Sequence, residues 1–191
     1  MTDAEMISMD AKPGDTVNMS DAESSFRSIR RTAQVLTDGE AREILAKGDY
    51  GCLAVEGDNG YPYAVPMTYA YDPVENRIYL HGAVSGARFD AVKRNNKACF
   101  TVVGRHQIMP EEYTCRYRSA IAFGRVHEVG DREAKIGALM RLVDKYSPDF
   151  IAGGQRYADD AVDHIRVYYI DVEYLSGKRS SKDPSGVGTG R

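Results

Sequence analysis

The sequence predicts a mainly β fold, β with minor α, in which antiparallel strands close into a barrel. Three observations carry this. Five or six runs rich in Val, Ile, Tyr and Thr lie between residues 51 and 174. The first three are joined by turn signals only a few residues long. Only about three short helical patterns accompany them, too few to cover both faces of an open sheet, so closure is the remaining way to bury it.

The elements follow in order. Thr37-Asp38-Gly39-Glu40 has the spacing of a capping box, and Ala41, Ile44 and Leu45 make one stripe, giving a helix over 38–47. Gly51 to Val55 is an apolar strand, and Gly57-Asp58-Asn59-Gly60 is a turn whose residues tolerate positive φ. Tyr61 to Tyr71 reads as the return strand. Pro62 and Pro66 remove ladder donors, so it belongs at an edge or is interrupted. After a turn at Asp72 to Asn76, Arg77 to His81 is a third strand.

A helix over Val84 to Arg94 precedes a fourth strand, Ala98 to Val103. Residues 104–112 read as irregular, and Tyr113 to His127 as a long fifth strand. Ile136, Leu139, Met140 and Val143 set a helix over Asp131 to Tyr146. Ser147 to Asp160, with Gly153-Gly154, reads as a linker or a mobile flap, and His164 to Tyr174 as the last strand. Residues 1–28 and 177–191 read as flexible tails on one domain over 29–176.

The formal net charge of −3 gives no bulk reason to expect nucleic acid or membrane as a partner. No apolar run reaches the ~18 residues of a spanning helix, and the acidic N-terminus has no signal-peptide core. A cytoplasmic location is the default expectation. The three cysteines are widely spaced with no CxxC, which argues against a disulfide framework or a zinc site. The four histidines have no metal-ligand spacing, so no metal site is expected. Catalytic triads, carboxylate pairs and phosphate loops are equally lacking.

The run Tyr61-Pro62-Tyr63-Ala64-Val65-Pro66-Met67-Thr68-Tyr69, followed by Ile78-Tyr79-Leu80-His81-Gly82-Ala83, resembles the pyridoxamine 5′-phosphate oxidase-like FMN-binding split barrels. Within them it is most similar to the nitroimidazole-resistance branch. Ser85-Gly86-Ala87-Arg88-Phe89-Asp90 and Arg118 to Gly124 continue the match. The resemblance implies a six-stranded antiparallel split β-barrel with flanking short helices, homodimeric, with FMN in the groove between subunits. It places Val65, Pro66, Met67, Thr68 and Tyr69 along the flavin ring. It sets His81, Gly82, Ala83, Ser85, Gly86, Arg88 and Phe89 around the ribityl phosphate, and has Arg118, Ser119 and Ala120 line the same groove.

The chemistry of these residues suits that ligand. A phosphate dianion needs donors and positive charge. A strand-to-helix junction offers first-turn N–H groups and a helix dipole. Gly82 and Gly86 permit close backbone approach, Ser85 adds a hydroxyl, and Arg88 can grip two oxygens. Pro66 is expected to free neighbouring backbone groups for the ring edge. His81 is a ligand contact or a proton donor. Arg116 and Arg118, on one strand face, invite an anion or form salt bridges across a dimer. The expected function is an FMN-dependent oxidoreductase acting on a small-molecule substrate such as a nitroaromatic, with NAD(P)H as an electron donor. The absence of Trp disfavours a true pyridoxamine phosphate oxidase. F420 and haem are alternative cofactors, and a flavin-binding module without turnover is the non-enzymatic alternative.

Overall fold

The computed structural model describes residues 26–183. Among them seven strands make one antiparallel sheet: β1 (Gly51–Glu56), β2 (Pro62–Met67), β3 (Ala70–Asp72), β4 (Arg77–Ala83), β5 (Lys97–Met109), β6 (Thr114–Glu128) and β7 (Ile165–Arg179). The helices are α1 (Asp38–Lys47), α2 (Ala87–Arg94), α3 (Arg132–Tyr146) and α4 (Ile151–Ala161).

The strand order is β2-β1-β5-β6-β7-β4-β3. Its two edges, β2 and β3, are consecutive in sequence and separated only by Thr68 and Tyr69. So short a connection spans at most about 10 Å, which forces the edges together and curls the sheet into a barrel. The split is at this break. Pro66 stays in the ladder opposite Cys52, so the expected interruption at Pro66 is corrected: it lies two residues on. An edge strand tolerates proline because its outward N–H needs no partner.

The break is held from inside. Tyr69 is fully buried, its hydroxyl donates to the Leu45 carbonyl at 2.7 Å, and its ring meets Phe100 edge-on at 4.9 Å. The Tyr146 hydroxyl at the end of α3 accepts from Tyr69 N at 3.0 Å and lies 2.8 Å from the Tyr69 and Asp49 carbonyls. Leu45, Leu53, Ile78, Leu80, Phe100, Val102 and Ile170 fill the barrel. A second cluster packs α3 and α4, through Ala138, Leu139, Leu142 and Ala158, against Tyr79 and Val167.

The capping box on α1 forms as expected, with Glu40 N donating to Thr37 Oγ1 and Thr37 N to the Glu40 carboxylate. Other expectations change. The segment 104–112 is not irregular: β5 runs on to Met109 and pairs with β6, leaving only a 3₁₀ turn at Pro110–Glu112. Ser147 to Asp160 is neither linker nor flap, since α4 occupies it and Gly154 lets α4 approach Val143 of α3. The helix after β4 starts at Ala87 rather than Val84.

The expected tail boundaries also move. β7 continues to Arg179, Leu36 N donates to the Gly177 carbonyl, and Asp183 pairs with Arg118, so the fold does not end at residue 176. Phe26 stacks on Tyr174 at 4.7 Å, so it too belongs to the packed structure. Paired backbone donors, not side-chain hydrophobicity, carry the end of β7, which is why its Gly- and Lys-rich sequence hid it. Residues 1–25 and 184–191, the rest of the expected tails, lie outside the described residues.

Candidate functional site

β4 ends at Ala83, and the chain turns through Val84, Ser85 and Gly86 into α2. Gly86 is the N-cap with φ 131°, a backbone region that favours glycine, and no side chain caps the helix. Phe89 N and Asp90 N bond the Gly86 carbonyl, while the N–H groups of Ala87 and Arg88 face outward at an uncapped helix N-terminus. Tyr63, Ala83, Ser85, Gly86, Ala87, Arg88 and Phe89 line a groove of about 210 Å³ over this junction.

Arg88 is the chemically distinctive member. A Cβ built on Gly82 would lie 1.7 Å from Arg88 Nη2, so the guanidinium occupies the space that the glycine leaves. Its one hydrogen-bond partner among the described residues is the Met67 sulfur at 3.9 Å; no carboxylate pairs with it. A half-buried guanidinium without a counter-ion, beside free amides, is an electrostatic arrangement for an anion. On its inner side Arg88 lines a small cavity with Met67, Leu80 and Tyr168, whose hydroxyl is buried and has no hydrogen-bond partner among the described residues. Burial pushes that hydroxyl's pKa up to about 12.

His81 points outward, since its neighbours Leu80 and Gly82 face inward. The surrounding protein, and then the charge of Arg88, lower its pKa below the usual 6.5, so the imidazole is neutral at pH 7. A neutral imidazole accepts or donates hydrogen bonds readily but is a weak proton source. Phe89 is buried, with the Arg166 guanidinium 3.7 Å and the Lys93 ammonium 4.2 Å from its ring centroid.

Ala83, Ser85, Gly86, Arg88 and Phe89 therefore line one groove, with Gly82 against the Arg88 guanidinium and His81 on the outward face of β4. The other expected residues are less uniform. Val65 and Met67 face the barrel interior and Pro66 faces out; Thr68 is half-buried at the split. The Tyr69 ring is wholly inside, with its backbone N–H and carbonyl bonded to Tyr146, which corrects its expected place along a ring in the groove. Ala120 is likewise buried in the core and does not line a groove. Ser119 is half-buried between Val103 and Lys178.

Arg118 pairs with Asp183 at 2.6 Å and Glu40 at 3.5 Å, and Arg116 with Glu112 at 3.3 Å. Within the chain both arginines pair with carboxylates. The acids come from α1, the hairpin turn and the segment after β7, which no local spacing reveals. Arg118 opposes Arg179, whereas Glu128 opposes Tyr168 beside β4. These positions are ten residues apart on β6, roughly 30 Å of strand. Arg118 to Ala120 and the junction thus do not meet on one chain.

Sequence reasoning did not assign Tyr63, Tyr146 or Arg166 to the site or its support. Tyr63 carried a signal, as an exposed aromatic on a proline-flanked strand. Arg166 carried none, because its partners Val84 and Glu128 are distant in sequence. Among the described residues no His, Cys, Asp and Glu group could hold a metal ion, and no helix is long and apolar enough to cross a membrane.

A seven-stranded split barrel with an anion-suited junction after β4 defines a class of fold and site. The chain belongs to the pyridoxamine 5′-phosphate oxidase family, whose sequence pattern it matches over residues 37–179. No curated protein matches it. Among solved structures it is similar to a protein described as a candidate for 5-nitroimidazole antibiotic resistance from Bacteroides thetaiotaomicron. That match has 27% identity and a TM-score of 0.65, covering 76% of this chain and 86% of that one. A flavocytochrome from Azotobacter vinelandii shares the fold at 19% identity and a TM-score of 0.68, covering 87% and 78%. An FAD- and haem-binding protein from Mycobacterium smegmatis does so at 21% and 0.64, covering 79% and 75%.

Proposed function

We propose that this protein is a flavin-binding oxidoreductase that takes FMN by its phosphate at the β4–α2 junction. The observation that carries the reading is Arg88: a guanidinium seated over Gly82 with no carboxylate partner among the described residues, beside the uncapped start of α2. The donor set fits a phosphate dianion. Ser85, the N–H groups of Ala87 and Arg88, and the Arg88 guanidinium would hold it. Bound flavin would supply the hydride and electron chemistry. The protein's part is to orient the ring, shield it and keep the anionic end neutralised.

The groove wall at Tyr63 is available to the rest of the ligand, while Pro66 lies on the opposite face of β2. His81, on the same face of β4 as Ala83 of the groove and with its pKa lowered by the surrounding protein and Arg88, would serve as a polar contact to the ligand. A ligand that also touched Ser119 would need a second copy of the chain, so in this reading the flavin lies between the subunits of a homodimer. The exposed Ile108 and Tyr113 on the β5–β6 hairpin offer apolar surface to such a partner. The similarity to a nitroimidazole-resistance candidate favours small nitroaromatic compounds as substrates, with NAD(P)H as the donor.

A haem-binding function is the second reading, favoured by the flavin-and-haem descriptions of two fold neighbours and by the exposed His81 imidazole. The absorption spectrum of the purified protein separates the two. Bands near those of free oxidised flavin, with mass spectrometry giving FMN, support the proposal. A Soret band without flavin, or F420 as the released ligand, would overturn it.

A further inference from the structure

We propose that Arg166 is the positioning residue of the phosphate junction, acting through the Val84–Ser85 peptide. This inference rests on the phosphate reading given above. Arg166 sits on β7 directly opposite Gly82 of β4. Its Nε donates to the Val84 carbonyl at 2.7 Å, its Nη1 to Glu128 Oε1 at 2.6 Å, and its guanidinium lies flat enough on Phe89 to put Cζ 3.7 Å from the ring centroid. One planar group therefore touches both ends of the turn: Val84 at the strand side and Phe89 in the first turn of α2.

The consequence follows from peptide geometry. In a planar trans peptide the C=O and the next N–H point in opposite directions. Fixing the Val84 carbonyl toward Arg166 turns the Ser85 N–H away from Arg166, on the segment whose Ser85 and Gly86 line the groove. Val84 is itself exposed and Gly86 has a glycine-type φ, so neither side-chain packing nor backbone preference alone holds this peptide plane. Arg166 does so by a charge-assisted bond.

The charges divide the labour between the two arginines. Glu128 neutralises Arg166, so Arg166 adds little net field to the groove. Arg88, without a carboxylate, keeps its charge for the ligand. Arg88 is the residue that touches the anion, and Arg166 acts only by orienting the loop.

The test compares FMN with riboflavin, which lacks the phosphate. Flavin fluorescence quenching gives both dissociation constants for wild type, Arg166→Met and Arg166→Lys. Met keeps the stem against Phe89 and removes the donors; Lys keeps the charge beside Glu128 with a single head group. Wild type is expected to prefer FMN at least tenfold. Arg166→Met should lose most of that preference with riboflavin affinity within twofold, and Arg166→Lys should recover part of it. Hydrogen exchange at the Ser85 and Ala87 amides should quicken in ligand-free Arg166→Met. An undiminished FMN preference in Arg166→Met, or equal losses for both flavins, would overturn the positioning role. Should Arg166→Met not fold, a Lys variant with unchanged FMN affinity overturns it, and a selective loss of at least threefold supports it. Equal affinity of wild type for FMN and riboflavin would instead remove the phosphate reading, and this role with it.

Discussion

Arg88 fills the place where Gly82 lacks a side chain: a Cβ on Gly82 would sit 1.7 Å from Arg88 Nη2 and 2.9 Å from its Cζ. The colliding atoms are the far end of a flexible side chain, so the clash can be relieved without moving backbone. Gly82→Ala is therefore expected to fold and to displace the guanidinium. Its FMN affinity should fall by about 1.5–3 kcal/mol, the worth of a hydrogen bond to a charged group, as in Arg88→Ala. Gly124 is the contrasting case. There a Cβ would lie 2.0 Å from the Asp171 carbonyl oxygen at the β6–β7 register shift. Backbone must move, and Gly124→Ala should cost about 3 kcal/mol or more of stability. Urea unfolding and flavin titration of both variants check the pair; a Gly82→Ala protein that binds FMN normally would contradict the assignment of Arg88.

His81 reports on the charge of Arg88. That charge, after the effect of the surrounding protein, depresses the imidazole's pKa. A phosphate on Arg88 offsets it, so FMN should raise the His81 pKa toward 6.5, whereas riboflavin should leave it unchanged. The Cε1 proton resonance, followed from pH 5 to 8 with each flavin, measures this. A shift of the same size with riboflavin would mean that the ring, not the phosphate, is felt.

Tyr146 holds the barrel closed at its split. Tyr146→Phe leaves the buried Tyr69 N–H without its acceptor, at an expected cost of about 1–3 kcal/mol. Because the β2–β3 break is local, hydrogen exchange at Tyr69 should rise more than at Phe100 in the barrel interior. Uniform acceleration across both would show that Tyr146 supports the whole fold rather than the break.

Acid stability should depend on the α1 cap. The Thr37 backbone N–H, ahead of the opposing effect of burial, lowers the Glu40 pKa below 4.5. A carboxylate with a depressed folded pKa contributes stability that is complete above its unfolded value and lost as pH falls through the folded one. The contribution is thus complete at pH 7, begins to fall as pH nears the unfolded value of about 4.5 and is lost as pH drops through the lower folded one. Glu40→Gln should be less stable than wild type at pH 7 and converge with it near pH 2. Thermal melts across that range would show the two curves meeting; parallel curves would assign the effect to another group.

Local signals in the chain already carried most of the strands and turns, the cap on α1, the barrel and the strand-to-helix junction after β4. These are written in local signals: alternation, turn residues, a Thr-x-x-Glu spacing, and small residues around His81. Period and capping act over a few residues, so they survive in a linear reading. The end of β7 and the arm of β5 were not legible, because ladder pairing, not composition, makes them strands. Tertiary structure alone decided which members of the site meet. It turned Tyr69 and Ala120 inward, gave Arg118 two acids from distant segments, and left Arg88 without an acid among the described residues. It also brought Arg166, 82 residues beyond Val84 in sequence, onto that carbonyl. Long-range partners set whether a charge is spent or kept, and no spacing in the chain encodes them.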